Sequence, residues 1–234
     1  MLLPDGRLAS AGYADGIRLW DVKSGTQSAR LEGATGSALT LLPNGRLASN
    51  PSGDGSIQLW DLETGTTSAR LEGHLGHINV LTLLPDGRLA SAGLNHGDSA
   101  RGVIRIWDLN RGAVVARLVG HSAEVNALLY LPDGRLASAG NDRTVRLWDL
   151  DSGTESACLK QTCEVRAIAL LSDGQLASMG TDGTILIWEL TSGTQNARLD
   201  GHRIVNNGLI PLFGGSLAWA ELDIVRHCAA RQSG

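Results

Sequence analysis

The segment LPDGRLASAGNDRTVRLWDLDSGT, residues 131–154, contains a Pro-Asp-Gly turn, two short apolar runs and the pair Trp148-Asp149. Its first eight residues recur at 3–10 and 84–91 and, with one or two changes, at 42–49 and 171–178. A Trp-Asp or Trp-Glu pair follows each copy, and the five tryptophans are spaced 40, 47, 41 and 40 residues apart. Such fixed offsets indicate one structural unit that is copied in register along the chain.

The fourth copy has the pattern of four short strands separated by turns, without a helix. Segments typical of strands cover residues 125–131, 135–139, 145–150 and 155–159. Along the third segment, Val145 and Leu147 point to one face and Trp148 to the other, so both faces carry bulky side chains. A strand that is apolar on both faces must lie between other sheets. The pattern therefore predicts an all-β fold of about six four-stranded sheets packed face to face in a ring.

Gly-His pairs at Gly73-His74, Gly120-His121 and Gly201-His202 precede three of the copies. Together with the Trp-Asp pairs, they make nearly the whole chain resemble the WD-repeat β-propeller family. The near-identical blades are similar to those of bacterial members of that family. The resemblance implies a single propeller domain, 1–234, with blades at approximately 1–33, 34–73, 74–120, 121–160, 161–201 and 202–234.

The two ends of the chain depart from the repeat. Met1 aligns with Leu129, so we expect the first blade to lack most of its innermost strand. In the last copy Trp219 occupies the serine position, and the chain stops near the turn before a fourth strand. We therefore expect incomplete first and last blades, a ring closed weakly or not at all, and self-association through open blade edges. The sequence leaves open whether the chain is a piece of a larger array.

In WD-repeat proteins a histidine, a serine or threonine, an aspartate and the tryptophan form a buried hydrogen-bonded tetrad. The resemblance assigns these roles to His121, Ser138, Asp142 and Trp148 in the fourth copy. Gln161 occupies the histidine position of the fifth copy, and Ala34 that of the second. The other copies hold partial tetrads, which comprise Ser10, Asp15 and Trp20; Ser49, Asp54 and Trp60; His74, Ser91 and Trp107; and Ser178, Asp182 and Trp188.

Charge and composition restrict the classes of partner that the chain is expected to bind. The formal net charge of −4 gives no general attraction to nucleic acid or to an anionic membrane surface. A basic stripe at Arg30, Arg70, Arg117 and Arg198 is largely offset by nearby glutamates. No apolar run reaches the roughly 18 residues that a membrane span requires. We therefore expect a cytoplasmic protein with protein partners and without nucleic-acid or membrane binding.

The sequence indicates neither catalysis nor a cofactor. His121, Ser138 and Asp142 superficially suggest a hydrolase triad, but they recur with the period of the fold and lack a GxSxG motif. An insertion at residues 95–102 contains His96 and Asp98, which are too few ligands for a metal site. We expect no catalytic residue, no bound metal and no cofactor.

The favoured function is a non-catalytic protein–protein interaction scaffold. The resemblance implies that partners dock on the face that bears the loops into the innermost strands and the loops after the second strands, where residues vary between copies while the scaffold does not. The residues assigned to this face are Tyr13, His77, Asp98, Arg101, Glu124, Asn141, Arg143, Arg166, Thr181 and Arg203. Two alternatives remain open: the ligand-binding sensor array of a larger bacterial signalling protein, and, less favoured, a propeller enzyme such as a lactonase or lyase.

Overall fold

The computed structural model describes residues 1–12, 16–31, 38–51, 54–96 and 101–200 in full, and the backbone of 209–211, 216–220 and 225–229. All regular secondary structure in these ranges is β-strand. No helix in them is long and apolar enough to cross a membrane.

The first three sheets, called blades 1 to 3, are antiparallel meanders in which strands adjacent in sequence pair. Blade 1 contains β1 (Arg7–Gly12), β2 (Gly16–Asp21) and β3 (Thr26–Leu31). Blade 2 contains β4 (Leu39–Leu41), β5 (Leu47–Ser49), β6 (Ile57–Trp60) and β7 (Thr67–Leu71). Blade 3 contains β8 (Ile78–Leu83), β9 (Leu89–Gly93), β10 (Gly102–Asp108) and β11 (Ala113–His121).

Blades 4 to 6 repeat this topology. Blade 4 contains β12 (Val125–Tyr130), β13 (Leu136–Gly140), β14 (Thr144–Asp149) and β15 (Thr154–Lys160). Blade 5 contains β16 (Val165–Leu170), β17 (Leu176–Gly180), β18 (Thr184–Trp188) and β19 (Gln195–Asp200). Blade 6 contains β20 (Leu209–Pro211), β21 (Ser216–Ala220) and β22 (Val225–Ala229). The predicted all-β fold of propeller blades, with three strands in the first and last, is confirmed among the described residues.

A β-bulge lies beside the tryptophan in blades 1, 2, 4 and 5. In blade 4, Leu147 pairs with Ala157 and Trp148 with Glu155, so Ser156 is the extra residue. Ser156 Oγ donates to the carbonyl oxygen of Leu147 at 3.1 Å. Ser28 and Ser68 make the same bond in blades 1 and 2, at 3.1 and 3.0 Å. Because a bulge increases local twist and redirects neighbouring side chains, it helps to aim each indole out of its sheet.

The chain divides into two compact units, Met1–Val119 and Gly120–Gly234. Within each unit the tryptophan of one blade packs on the preceding blade, against the strand that carries its tryptophan and the strand after it. The contacting groups are Trp60 with Ile17, Leu19 and Leu31; Trp107 with Ile57, Leu59 and Leu71; and Trp188 with Val145, Leu147 and Leu159. Burying an indole in this way contributes at most about 4–6 kcal/mol, so these contacts provide the main cohesion between neighbouring blades.

The turn between β13 and β14 contains an unusual backbone conformation. Arg143 has a φ of 65°, and it is the only non-glycine residue with positive φ among the described residues. Glycine stands at the same place in blades 1, 2 and 5, as Gly16, Gly55 and Gly183, with φ of 74°, 70° and 85°. A side chain in this left-handed region costs about 1–2 kcal/mol, so the fourth copy carries strain that its sister copies avoid.

We predict that Arg143→Gly raises the free energy of unfolding by about 0.5–1 kcal/mol, because the relief of strain exceeds the added entropy of an unfolded glycine. Urea denaturation of both proteins measures the difference. Arg166→Gly, at a position of strand β16 that has no positive φ, is the matched control and should lower stability. A loss of stability on Arg143→Gly would contradict the assignment of strain.

Candidate binding surface

The fourth copy brings His121, Ser138, Asp142 and Trp148 together in a chain of hydrogen bonds. Trp148 Nε1 donates to Ser138 Oγ at 2.8 Å, and Ser138 Oγ lies 2.7 Å from His121 Nε2. His121 Nδ1 lies 2.9 Å from Asp142 Oδ2. Because a carboxylate only accepts, Nδ1 carries the imidazole proton and Nε2 accepts from the serine hydroxyl. Every donor in this buried chain therefore has a partner.

The carboxylate of Asp142 is held in its charged form. Burial alone raises the pKa of Asp142, but hydrogen bonds from His121, Thr144 and the backbone N–H of Ser122 outweigh burial and lower the pKa to about 2. Thr144 Oγ1 donates to Asp142 Oδ1 at 2.7 Å, and the Ser122 N–H donates to Oδ2 at 3.1 Å. The carboxylate thus joins the turn after β13 to the segment that precedes β12.

In the third copy Asn95 stands at the aspartate position, where its Oδ1 accepts from the Leu75 N–H at 3.0 Å, and an arginine takes the aspartate's place beside the histidine. His74 Nε2 lies 2.6 Å from Ser91 Oγ, to which Trp107 Nε1 also donates at 2.7 Å. Arg105 NH1, buried at 4% exposure, lies 2.8 Å from His74 Nδ1. Since a guanidinium only donates, Nδ1 accepts and Nε2 carries the proton, the reverse of the arrangement at His121.

The arginine also changes the titration of His74. Burial is the main cause, followed by the positive charges of Arg105 and Arg117, and together they lower the pKa of His74 to about 3. The role of Arg105 was missed from the sequence. The available signal is an arginine two residues before the tryptophan, which also occurs at Arg18 and Arg146.

Blades 1, 2 and 5 also have the serine–tryptophan hydrogen bond, but they differ in the residues at the histidine and aspartate positions. Trp20 donates to Ser10 at 2.8 Å, Trp60 to Ser49 at 2.8 Å and Trp188 to Ser178 at 2.7 Å. Gln161 replaces the imidazole in blade 5, where its Oε1 accepts from Ser178 Oγ at 3.0 Å.

The turn aspartates of these copies have partners other than histidine. Asp54 pairs with Arg70 at 2.8 Å, and Asp182 accepts from Cys163 Sγ at 3.1 Å. Burial and that same bond raise the pKa of Cys163. Asp15 lies outside the described residues.

The hydrolase-like grouping of His121, Ser138 and Asp142 is closed to substrate. The side chain of Ser138 is completely buried, and its oxygen is occupied by the indole N–H of Trp148. A nucleophile needs both access and a free trajectory, so this serine serves the scaffold.

In the second unit, one edge of blades 4 and 5 gathers five of the predicted surface residues. The Asn141 N–H donates to Glu124 O at 2.8 Å, and the Thr181 N–H donates to Glu164 O at 2.9 Å. In each blade this bond joins the loop before the innermost strand to the loop after the second strand. Arg166 forms an ion pair with Glu164 at 3.0 Å. We call this edge, with Glu124, Asn141, Arg143, Glu164, Arg166 and Thr181, the loop edge of blades 4 and 5.

Asn126 ties the two blades of this edge together. Its Nδ2 donates to Asn141 Oδ1 at 2.7 Å and to Val165 O at 2.8 Å. In the first unit Asn50 has a comparable role, because its side-chain oxygen accepts from the Ala38 N–H at 2.9 Å and its Nδ2 donates to Ile78 O. Both asparagines were missed from the sequence, since a bond between blades leaves no mark in the period of a single repeat.

The corresponding edge of blade 3 is formed by His77, His96 and Arg101, all exposed. The Leu94 N–H donates to His77 O at 2.9 Å, and the His96 N–H donates to Leu75 O at 3.1 Å. The two imidazole rings meet edge to face with centroids 6.2 Å apart. Tyr13, Asp98 and Arg203 lie outside the described residues. In the part of the chain that the structure describes, no three His, Cys, Asp or Glu side chains are grouped so that they could hold a metal ion.

Comparison with known proteins agrees with this geometry. The family model described as "WD domain, G-beta repeat" matches residues 65–108, 112–149 and 153–189, which cover just over half of the chain. No curated protein shows significant similarity to the chain. Serine–tryptophan bonds repeated through antiparallel β-propeller blades define a repeat protein of the propeller class. The chain belongs to the WD40 repeat family, whose repeats generally mediate protein–protein interaction.

We predict that Ser138→Ala lowers the free energy of unfolding by about 2–4 kcal/mol, because it leaves the buried Trp148 N–H and His121 Nε2 without partners. Ser10→Ala, in an exposed position of blade 1, is the matched control and should cost less than about 1 kcal/mol. Urea denaturation compares the two variants. Equal losses of unfolding free energy in the two variants would contradict the prediction, because burial would then not increase the cost of losing this hydrogen bond.

We predict that His74 makes stability depend on pH. The unfolded chain takes up a proton at His74 near its ordinary pKa of 6.5, whereas the folded chain resists protonation down to about pH 3. Stability is therefore lost as pH falls below 6.5, by up to about 1.4 kcal/mol per pH unit. His74→Gln, which copies Gln161, should flatten this dependence. Urea denaturation between about pH 7 and pH 5 measures both slopes, and identical slopes would contradict the prediction.

Proposed function

We propose that the chain is a non-catalytic platform that binds protein partners through the loop edge of blades 4 and 5. The observation that carries this proposal is a contrast within blades 4 and 5. One equivalent backbone hydrogen bond joins the two loops in each blade, but the turn after the second strand carries Asn141 and Arg143 in blade 4 and Thr181 and Gly183 in blade 5. A rigid backbone with variable side chains is the arrangement found where loops on a scaffold carry recognition.

The chemistry of the loop edge suits a polar, charged partner. Glu124, Glu164 and Arg166 are half-buried and Arg143 is exposed, so charges of both signs lie beside one another. Such mixed charge gives orientation and selectivity to a protein interface. The bond from Asn126 to Val165 O keeps the two blades in a fixed relation, which lowers the entropy lost when a partner docks.

Arg143 supports the proposal independently. It occupies a left-handed turn position where three sister copies have glycine, and its side chain is exposed. Strain at an exposed polar residue is typical of positions kept for recognition rather than for stability. The guanidinium is suited to planar, bidentate contact with a partner carboxylate.

We predict that the combined variant Glu124→Lys, Arg143→Glu and Arg166→Glu loses protein partners that the unaltered chain captures, because it reverses the charges along one edge. Immobilised protein, partner identification by mass spectrometry and titration of each purified partner measure the effect. Binding should weaken at least tenfold, about 1.4 kcal/mol.

The matched control reverses one acidic and two basic residues at exposed turns on the other ends of the strands, as Glu63→Lys, Lys23→Glu and Arg111→Glu. It changes net charge by the same amount and should leave partner binding intact. Retention of every partner by the loop-edge variant, or equal losses in both variants, would contradict the proposal. Circular dichroism and urea denaturation verify that each variant is folded.

A further inference from the structure

A cavity of about 340 Å³ lies in the first unit, at the ends of blades 2 and 3 away from their loop edge. It is lined by Pro43, Asn44 and Arg46, by residues 86–88 and by residues 108–110. These are the turns between β4 and β5, between β8 and β9, and between β10 and β11. The lining is polar, and it includes two arginines and two aspartates.

In three other copies the arginine that ends the Pro-Asp-Gly-Arg turn forms an ion pair with the aspartate two residues before it. We call this ion pair the clamp. The ion pairs are Arg7 with Asp5 at 2.6 Å, Arg88 with Asp86 at 2.7 Å and Arg135 with Asp133 at 2.6 Å. In two of them the guanidinium also reaches the neighbouring blade. Arg7 NH2 donates to Leu62 O at 3.3 Å, and Arg135 NH2 donates to Leu190 O at 3.0 Å.

The second copy has lost the clamp. Asn44 replaces the aspartate, and its Oδ1 still accepts from the Arg46 N–H at 3.2 Å, but an amide cannot neutralise the guanidinium. Leu109, two residues after Trp107, is the counterpart of Leu62 and Leu190, and it lines the same cavity. Arg46 Nε is shielded from solvent and has no hydrogen-bond partner among the described residues.

The other charges of the lining are already engaged. Asp86 holds Arg88, and Asp108 accepts from the N–H groups of Asn110 and Arg111 at 2.9 and 3.0 Å. Within the described lining, Arg46 is thus the cation that lacks an acidic partner. The guanidinium of Arg46 therefore lines the cavity without the carboxylate that neutralises its counterparts, and an anionic ligand that reaches its terminal nitrogens would supply one.

We propose that this cavity binds a single carboxylate, presented by an acidic side chain of a polypeptide, through Arg46. A carboxylate matches the planar fork of the guanidinium with two parallel hydrogen bonds. The nearby Asp86 and Asp108 disfavour a doubly charged anion such as phosphate, because like charges repel at short range. The cavity is lined by residues of the first unit and the loop edge of blades 4 and 5 by residues of the second, so the two sites share no residue.

The test measures fluorescence anisotropy of a labelled Gly-Glu-Glu-Glu-Gly peptide on the full chain, with Gly-Gln-Gln-Gln-Gly as the matched peptide. Arg46→Gln copies Gln175 of the fifth copy, and we expect it to weaken binding at least tenfold. Asn44→Asp restores the clamp of the other copies, and we expect the same loss of binding with equal or higher resistance to urea. Arg135→Gln removes a clamped arginine elsewhere and should leave binding unchanged.

Competition separates the two anion chemistries. Glutarate should displace the peptide at lower concentration than inorganic phosphate, and it should shift the Arg46 Nε–H resonance in the nuclear magnetic resonance spectrum. Full binding by Arg46→Gln or by Asn44→Asp would overturn the proposal. Tighter binding of phosphate than of glutarate, or equal binding of the glutamine peptide, would overturn the carboxylate assignment.

Discussion

The hydrogen bond from a buried indole N–H to a serine hydroxyl is the interaction on which blades 2 to 5 depend. It occurs in five copies at 2.7–2.8 Å and joins the tryptophan strand to the strand before it. The indole is buried in blades 2 to 5, and in blades 2, 3 and 5 it fills the space against the preceding blade. Burial makes an unpaired N–H costly, so the serine permits the packing that holds neighbouring sheets together.

Serine suits this place because its hydroxyl both donates and accepts. In blade 4 it donates to a bare imidazole nitrogen, in blade 3 it accepts from a protonated one, and in blade 5 it donates to the amide oxygen of Gln161. The remainder of the tetrad can therefore change from copy to copy. An alanine in place of the serine permits none of these arrangements, whereas Arg105 and Gln161 show that the histidine–aspartate pair has substitutes.

Much of the fold was predictable from the sequence because it repeats. The strands, the turns and the incomplete end blades follow from the phase of the repeat, and the hydrogen-bonded side chains of blade 4 lie where the resemblance placed them. The features that were missed break the repeat or join different copies. Arg105 lies against His74 in the copy that has Asn95 at the aspartate position, and Asn126 acts across two blades. Arg46 stands out only when its hairpin is compared with the clamped hairpins, which requires atomic distances.

The different partners of the buried histidines make the copies chemically distinct despite their similar sequences. Strand β18 carries Leu186 where β10 carries Arg105, so exchanging these strands between copies would leave His74 Nδ1 without a donor. The same exchange would place a guanidinium at the buried position of Leu186, among apolar side chains. Tandem duplicates are prone to pair with the wrong sister segment while a nascent chain folds. The buried hydrogen-bonding side chains of each blade therefore favour the correct strand. A mispaired intermediate lacks these hydrogen bonds, so it is less stable than the native pairing and can dissociate.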